Sequence, residues 1–236
     1  MGKLQLTKDF SMYYPEGYDK RDNYGTDLLE KNLYHGVNLL NYIDFKDAIL
    51  IDAGAYVGWF TEWAIRQGVS TAIAFEPDMS NFECLRKNML HCNWNNRADV
   101  ELYPFAIHDQ TATLFMDGIG QQVVTGEEDT GEGKNTIGVP LDLMFWRDRV
   151  FNPDSHLILK MDIEGNETHG IVGAIQLLQG HKKSTVIACT YHYDDQFTEV
   201  KKAINMLDAN TVSIERGVIN LNPALLLARI TRRDNK

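Results

Sequence analysis

The sequence predicts an α/β fold built on a mostly parallel sheet that an antiparallel terminal pair closes. Three observations carry this. Apolar runs of strand length alternate with stretches of helical period along most of the chain. The first long apolar run, residues 48–52, passes through glycines directly into a helical segment. Near the end, two strand-like segments are separated by so short a connection that they must pair antiparallel. No repeat or linker divides the 236 residues, so one domain over 1–236 is expected.

Taken in order, residues 1–24 hold Phe10, Tyr13, Tyr14, Tyr18 and Tyr24 among charges and turn formers, which reads as an irregular arm packed on the domain or a lid over a ligand. Thr26 and Asp27 stand before a helical stripe of Leu28, Leu29, Leu33, Val37, Leu40 and Ile43. Residues 48–52, ended by Asp52, make a fully buried strand. Helix 59–67 leads through Gly68 to strand 71–76, and helix 78–92 to strand 100–105. Residues 111–116 alternate as a short edge hairpin does, and 118–133 lack apolar anchors, as a surface loop would. A short helix over 141–149, strand 156–162, helix 167–178, strand 184–191 and helix 195–207 follow. Strands 211–216 and 225–231, joined through Asn220-Leu221-Asn222-Pro223, complete the chain.

Charge and cysteine content narrow the function. Twenty-three Lys plus Arg face thirty-three Asp plus Glu, a net charge of -10, which argues against a protein that neutralises nucleic-acid phosphates. Cys84, Cys92 and Cys189 form neither a Cys-x-x-Cys pair nor a zinc-finger spacing, so a reducing cytoplasm is the expected location. No signal peptide or apolar stretch long enough to cross a bilayer is evident, and no membrane partner is expected.

Chemistry concentrates at strand ends. In Ile51-Asp52-Ala53-Gly54-Ala55-Tyr56-Val57-Gly58-Trp59-Phe60, glycines let the backbone turn tightly between a buried strand and the free N–H groups of a helix start. The spacing is Gly-x-x-x-Gly, and Asp52 beside it would repel a pyrophosphate but attract an ammonium group. That favours S-adenosylmethionine, whose methionine end carries an amino group, over NAD. The alternative is structural: Gly54 and Gly58 allow close helix–strand packing. Glu76, before Pro77, closes the second strand a little over twenty residues on, where an acid can accept from both ribose hydroxyls. It also suits the start of the following helix. Ala106 and Ile107 offer a small apolar surface for an adenine.

These residues, with Leu85, Asn88, Leu141-Asp142, Leu159-Lys160-Met161-Asp162-Ile163-Glu164-Gly165-Asn166-Glu167 and Gly173-Ala174, resemble the FkbM family of S-adenosylmethionine-dependent methyltransferases over about 51–179. The Lys-x-Asp-x-Glu-Gly-x-Glu run is the most family-specific part. The resemblance implies a Rossmann-like class I methyltransferase fold, seven strands with the last antiparallel, and methyl transfer to a hydroxyl of a sugar or small natural product. It implies that Gly54, Ala55 and Gly58 line the methionine end, Glu76 the ribose, and Ala106 with Ile107 the adenine. Tyr56 stands where many relatives carry Asn.

Asp162 and Glu164 follow a buried strand at alternate positions and so emerge on one side, near a bound sulfonium. A carboxylate of such a pair can take the proton of an attacking hydroxyl. His192 ends the next strand and is either a general base or a partner of the loop backbone or Asp194. Asp162, Glu164 and His192 can also be drawn as a metal cluster, but no metal is expected. The expected catalytic group is therefore Asp162, Glu164 and His192, acting on a small-molecule or glycan hydroxyl. A nicotinamide-dependent oxidoreductase and a non-catalytic cofactor-binding module are the alternatives; oligomeric state is not legible.

Overall fold

The computed structural model describes residues 1–17, 24–34, 38, 40–116, 123–124, 134–145, 152–208, 211–219 and 222–232. It begins with β1 (Gly2–Thr7), β2 (Phe10–Tyr14) and α1 (Tyr24–Lys31). The alternating part runs through β3 (Ile49–Ala53), α2 (Trp59–Arg66), β4 (Thr71–Phe75), α3 (Met79–His91) and β5 (Asp99–Tyr103). Next come β6 (Ala106–Ile107), β7 (Ala112–Met116), β8 (Val123–Val124), β9 (Lys134–Val139) and α4 (Leu141–Phe145). The chain continues with β10 (His156–Met161), α5 (Glu167–Val172), α6 (Ile175–Gly180), β11 (Lys183–Cys189), α7 (Gln196–Asn205), β12 (Thr211–Ile219) and β13 (Asn222–Thr231).

Seven strands form the main sheet in the order β12-β13-β11-β10-β3-β4-β5. All neighbouring pairs from β11 to β5 are parallel, and β13 lies antiparallel between β11 and β12, as the sequence predicts. Alternation along the strands sends Leu50, Ile158 and Ile187 into a core with α2 and α3, and Ile51, Leu159, Val186 and Leu226 into a second core with α5 to α7. Ligands of such sheets collect at the carboxyl ends of the parallel strands, at a topological switch point. Here the order reverses at β3, between β4 and β10.

Five local expectations are corrected. The aromatic arm is a β1–β2 hairpin, not an irregular segment: Met12 and Tyr14 are buried in the first core, and Asn88 of α3 binds both the N–H and the carbonyl of Tyr13. The stripe from Leu28 is not one helix. It stops at Lys31, because Asn32 turns left-handed (φ 55°) and its side chain accepts from the Trp63 indole, and Leu40–Tyr42 form a separate 3₁₀ turn. Thr26 and Asp27, expected to stand ahead of the helix, lie inside α1.

Residues 112–116 belong to a second, four-stranded sheet ordered β6-β9-β7-β8, not to the edge of the main one. Helix 167–178 is two helices broken at Gly173 and Ala174. A Cβ on Gly173 would meet the His108 carbonyl at 2.2 Å, while the Asp142 carboxylate accepts from the Gln176 and Leu177 N–H groups and so caps α6 from outside. The predicted surface loop 118–133 lies largely outside the described residues, as do 18–23 of the arm and 146–149 of the helix after Pro140.

Candidate active site

A cavity of about 250 Å³ opens at the carboxyl ends of β3, β4 and β10. Gly54, Ala55, Tyr56, Glu76, Pro77, Ala106, Ile107, Asp162 and Glu164, all singled out from the sequence, line it together. Asp52, Gly58 and His192 stand behind its wall.

The β3–α2 turn explains how a strand end comes so close to its neighbour. Gly54 has φ +72°, and a Cβ there would sit 1.9 Å from the Asp162 carbonyl, so only glycine lets the turn close against the end of β10. The N–H groups of Gly54 and Ala55 donate to the Phe75 carbonyl at 3.0 and 2.9 Å, and the Tyr56 N–H donates to Glu76 at 2.8 Å. Gly58, φ +96°, serves packing: a Cβ would lie 2.3 Å from the Trp94 ring and 2.8 Å from Leu85. The structural alternative for the glycine pair therefore describes the geometry of Gly58, while Gly54 shapes the cavity floor.

Glu76 is 3% exposed, and burial pushes its carboxyl up to about 7 although the N–H groups of Asp78 and Tyr56 and the Asn81 amide all donate to it. Oε1 already accepts from Asp78 and Asn81, while Oε2, which accepts from Tyr56, keeps acceptor capacity for a hydroxyl. With Ala106, Ile107 and Phe105 adding apolar surface, an acid, a close-approach glycine and an apolar wall occur in one cavity, as a nucleoside with a charged tail requires.

Asp52 does not present a free charge to that tail. It is fully buried, accepts from Thr61 Oγ1 at 2.6 Å and pairs with Lys160 Nζ at 2.9 Å, its register partner across β3 and β10. Lys160 Nζ also donates to the Gly54 carbonyl at 2.7 Å. Burial opposes the Lys160 charge, but Asp52 and then Asp162 outweigh it and raise its pKa. The lysine, which lines the cavity, thus stands between two acids.

Asp162 is held from several sides. Tyr34 donates to Oδ2 at 3.1 Å and Tyr191 to Oδ1 at 3.0 Å. Burial first, and the nearby acid next to it, raise both phenols above the ordinary tyrosine range, so each remains a donor. Glu164 follows with a left-handed backbone (φ 56°), a strained placement for a side chain that faces a cavity.

His192 is 5% exposed and packed among acids: Asp162 at 3.5 Å, Glu164 at 3.3 Å and Glu167 at 3.4 Å. Burial works against its charge, but the three carboxylates prevail and raise its pKa to about 11. Its charged form is thus favoured over the neutral imidazole that a general base needs. Its backbone N–H, not its ring, donates to the Gln196 side chain at 2.9 Å, and the ring contacts are with Asp162, Glu164 and Glu167 instead of a loop backbone or Asp194. Glu167, Tyr34 and Tyr191 were not foreseen as site residues. For Glu167 the signal was present in the Lys-x-Asp-x-Glu-Gly-x-Glu spacing; the two tyrosines arrive from elements distant in sequence.

A family model for the methyltransferase FkbM domain matches residues 52–213, more than half of the chain. Comparison with curated proteins gives no match. Among solved structures, the chain is similar to the putative methyltransferase yhhF from Escherichia coli, with 12% identity, a TM-score of 0.53 and coverage of 98% of this chain and 100% of that one. It is similar to a putative rRNA-methylase from Clostridium thermocellum, with 10% identity, a TM-score of 0.52 and coverage of 83% and 93%. An O-methyltransferase from Bacillus cereus, solved in complex with S-adenosylhomocysteine, is 14% identical with a TM-score of 0.49 and coverage of 82% and 78%. The first two likenesses describe the fold, which does not discriminate between nucleic-acid and small-molecule acceptors. The chain belongs to the FkbM methyltransferase family: it has the class I methyltransferase fold and uses S-adenosylmethionine as its methyl donor.

Proposed function

We propose that this protein methylates a hydroxyl oxygen of a sugar or small natural product, with Asp162 receiving the hydroxyl proton. The observation that carries this is the Asp162 carboxylate, pinned by Tyr34 and Tyr191 in the wall of the cavity that also holds Gly54 and Glu76. When bound, S-adenosylmethionine supplies an activated methyl on a sulfonium. Glu76 holds the ribose hydroxyls, Ala106 and Ile107 pack on the adenine, and Gly54 and Ala55 bring the backbone close to the methionine end.

Held by Gly54, Ala55 and Glu76, the donor would supply its methyl to the acceptor oxygen, and Asp162 would take the hydroxyl proton. Positioning and exclusion of water provide most of the acceleration for so reactive a donor. Rings of Tyr34, Tyr56, Trp59, Phe60 and Tyr191 line the cavity and offer apolar surface against water. A net charge of -10 supports a small acceptor over a polyanion.

Methyl transfer from labelled S-adenosylmethionine to a panel of glycosides, phenols and an RNA oligonucleotide tests the reading. Label should enter hydroxyl compounds, and Asp162→Asn should reduce kcat about a hundredfold while cofactor affinity stays within a few-fold. Label entering RNA alone, or an unchanged kcat in Asp162→Asn, would refute it.

A further inference from the structure

Beside the cavity, three ends of secondary structure bring an imidazole and two carboxylates together. Nε2 of His192, after β11, lies 3.5 Å from Oδ1 of Asp162, after β10, and 3.4 Å from Oε1 of Glu167, the first residue of α5. The three ligand atoms lie within 4.8 Å of one another. The His192 side chain is 5% exposed and Glu167 is fully buried, yet Nε2 has no hydrogen-bond partner.

The spacing decides between two uses of such a cluster. A charge-assisted N–H···O bond closes to about 2.7–2.9 Å. Ligand atoms around a tetrahedral cation with bonds of about 2.1 Å stand about 3.4 Å apart. The separations from Nε2 match the second geometry. On the other face of the ring, Glu164 Oε2 lies 3.3 Å from Nδ1, the position of the carboxylate that fixes the tautomer of a metal-bound histidine. Glu167 is held as well: Oε1 accepts from the Ile163 N–H at 2.9 Å and Oε2 from the Gln196 amide.

We propose that Asp162, Glu167 and His192 bind one divalent cation of the manganese or zinc class, which fixes Asp162 at the cavity wall. This rests on the reading of Asp162 as the acceptor-facing group. Two carboxylates offset the charge of a dication, and one nitrogen with two oxygens suits these metals. Glu164, which the sequence places among the ligands of such a cluster, stands behind the histidine, and Glu167 takes its place. The cation ties β10, α5 and β11 together and acts as a positioning element, since neither His192 nor Glu167 lines the cavity.

The test is a titration of the protein with Mn²⁺, free of methyl donor and acceptor, following the paramagnetic resonance signal of unbound metal. One Mn²⁺ per chain should bind and be displaced by Zn²⁺, with affinity falling about tenfold or more in Glu167→Gln and in His192→Ala. Asp109→Asn, in a separate cluster of His108, Asp109 and His169, should leave this binding intact. Because the buried variants risk misfolding, a Mn²⁺-soaked wild-type crystal gives a second readout, an anomalous peak among the three ligand atoms. No bound metal at millimolar concentration, a peak elsewhere, or binding lost only in Asp109→Asn would overturn the proposal. S-adenosylhomocysteine binding, measured separately by calorimetry, distinguishes the failures: affinity for it without any metal binding removes only the cation, while its absence removes the methyltransferase reading.

Discussion

Glu76, the proposed ribose acceptor, also bears on stability. Its carboxyl is raised to about 7 by burial, so between the ordinary carboxylate value and 7 the folded protein binds a proton that the unfolded chain releases. Stability therefore falls as pH rises through that window, and the cost, roughly 3 kcal/mol, is fully present above it. Thermal melts from about pH 5 to pH 8 should show a downward slope that Glu76→Gln flattens. Ribose hydroxyls favour the ionised form, so S-adenosylhomocysteine should bind more tightly at about pH 8 than at about pH 6. Lys160 poses the opposite case. Lys160→Met would leave Asp52 buried without its counter-charge and should cost about 3–5 kcal/mol in denaturant unfolding. Strand ends and their acids were legible at this scale because alternation and the glycine turn mark where each strand stops. The protonation of His192 was not, since it depends on three carboxylates whose convergence only the fold reveals.

Elements explain the next layer. The connection from β10 to α5 carries Asp162, Glu164 and Gly165 in five residues, and with its left-handed Glu164 and Gly165 it presents two acids to opposite nitrogens of His192. The β1–β2 hairpin supports the site from outside: the Trp59 indole donates to the Tyr14 hydroxyl, and Trp59 lines the cavity that no described residue of the hairpin reaches. Tyr14→Phe should then reduce stability modestly, by about 1 kcal/mol, and leave acceptor choice unaltered in the labelled assay. The break between α5 and α6 gives a sharper prediction. Asp142→Ala removes the acceptor for two N–H groups and should cost about 1 kcal/mol, seen as a lower denaturant midpoint at constant slope. Apolar periodicity located most helices, but not this break or the end of α1, because Asp142 and Asn32 act through contacts that local pattern does not record. The hairpin was read as irregular for a related reason: its buried Met12 and Tyr14 are flanked by aromatic residues that blur the alternation.

For the whole molecule, the parallel order around β3 places the carboxyl ends of β3, β4 and β10 at one mouth, and this was readable from alternating elements and the terminal antiparallel pair. The four-stranded second sheet was not, because β6 and β8 are only two residues each and their pairing is non-local. No helix among the described residues is long and apolar enough to cross a membrane. The surplus of acids should also make RNA a poor competitor: excess oligonucleotide should leave methyl transfer to a hydroxyl acceptor unchanged at physiological salt.

The most direct measurement is calorimetric titration of S-adenosylhomocysteine into the wild-type protein, Glu76→Ala and Asp162→Asn, alongside labelled methyl transfer by each. Wild-type protein should bind the product and transfer methyl, Glu76→Ala should lose most affinity, and Asp162→Asn should bind normally but transfer poorly. Wild-type protein with no affinity for S-adenosylhomocysteine, or Glu76→Ala binding it as well as wild type does, would contradict the placement of the donor in this cavity.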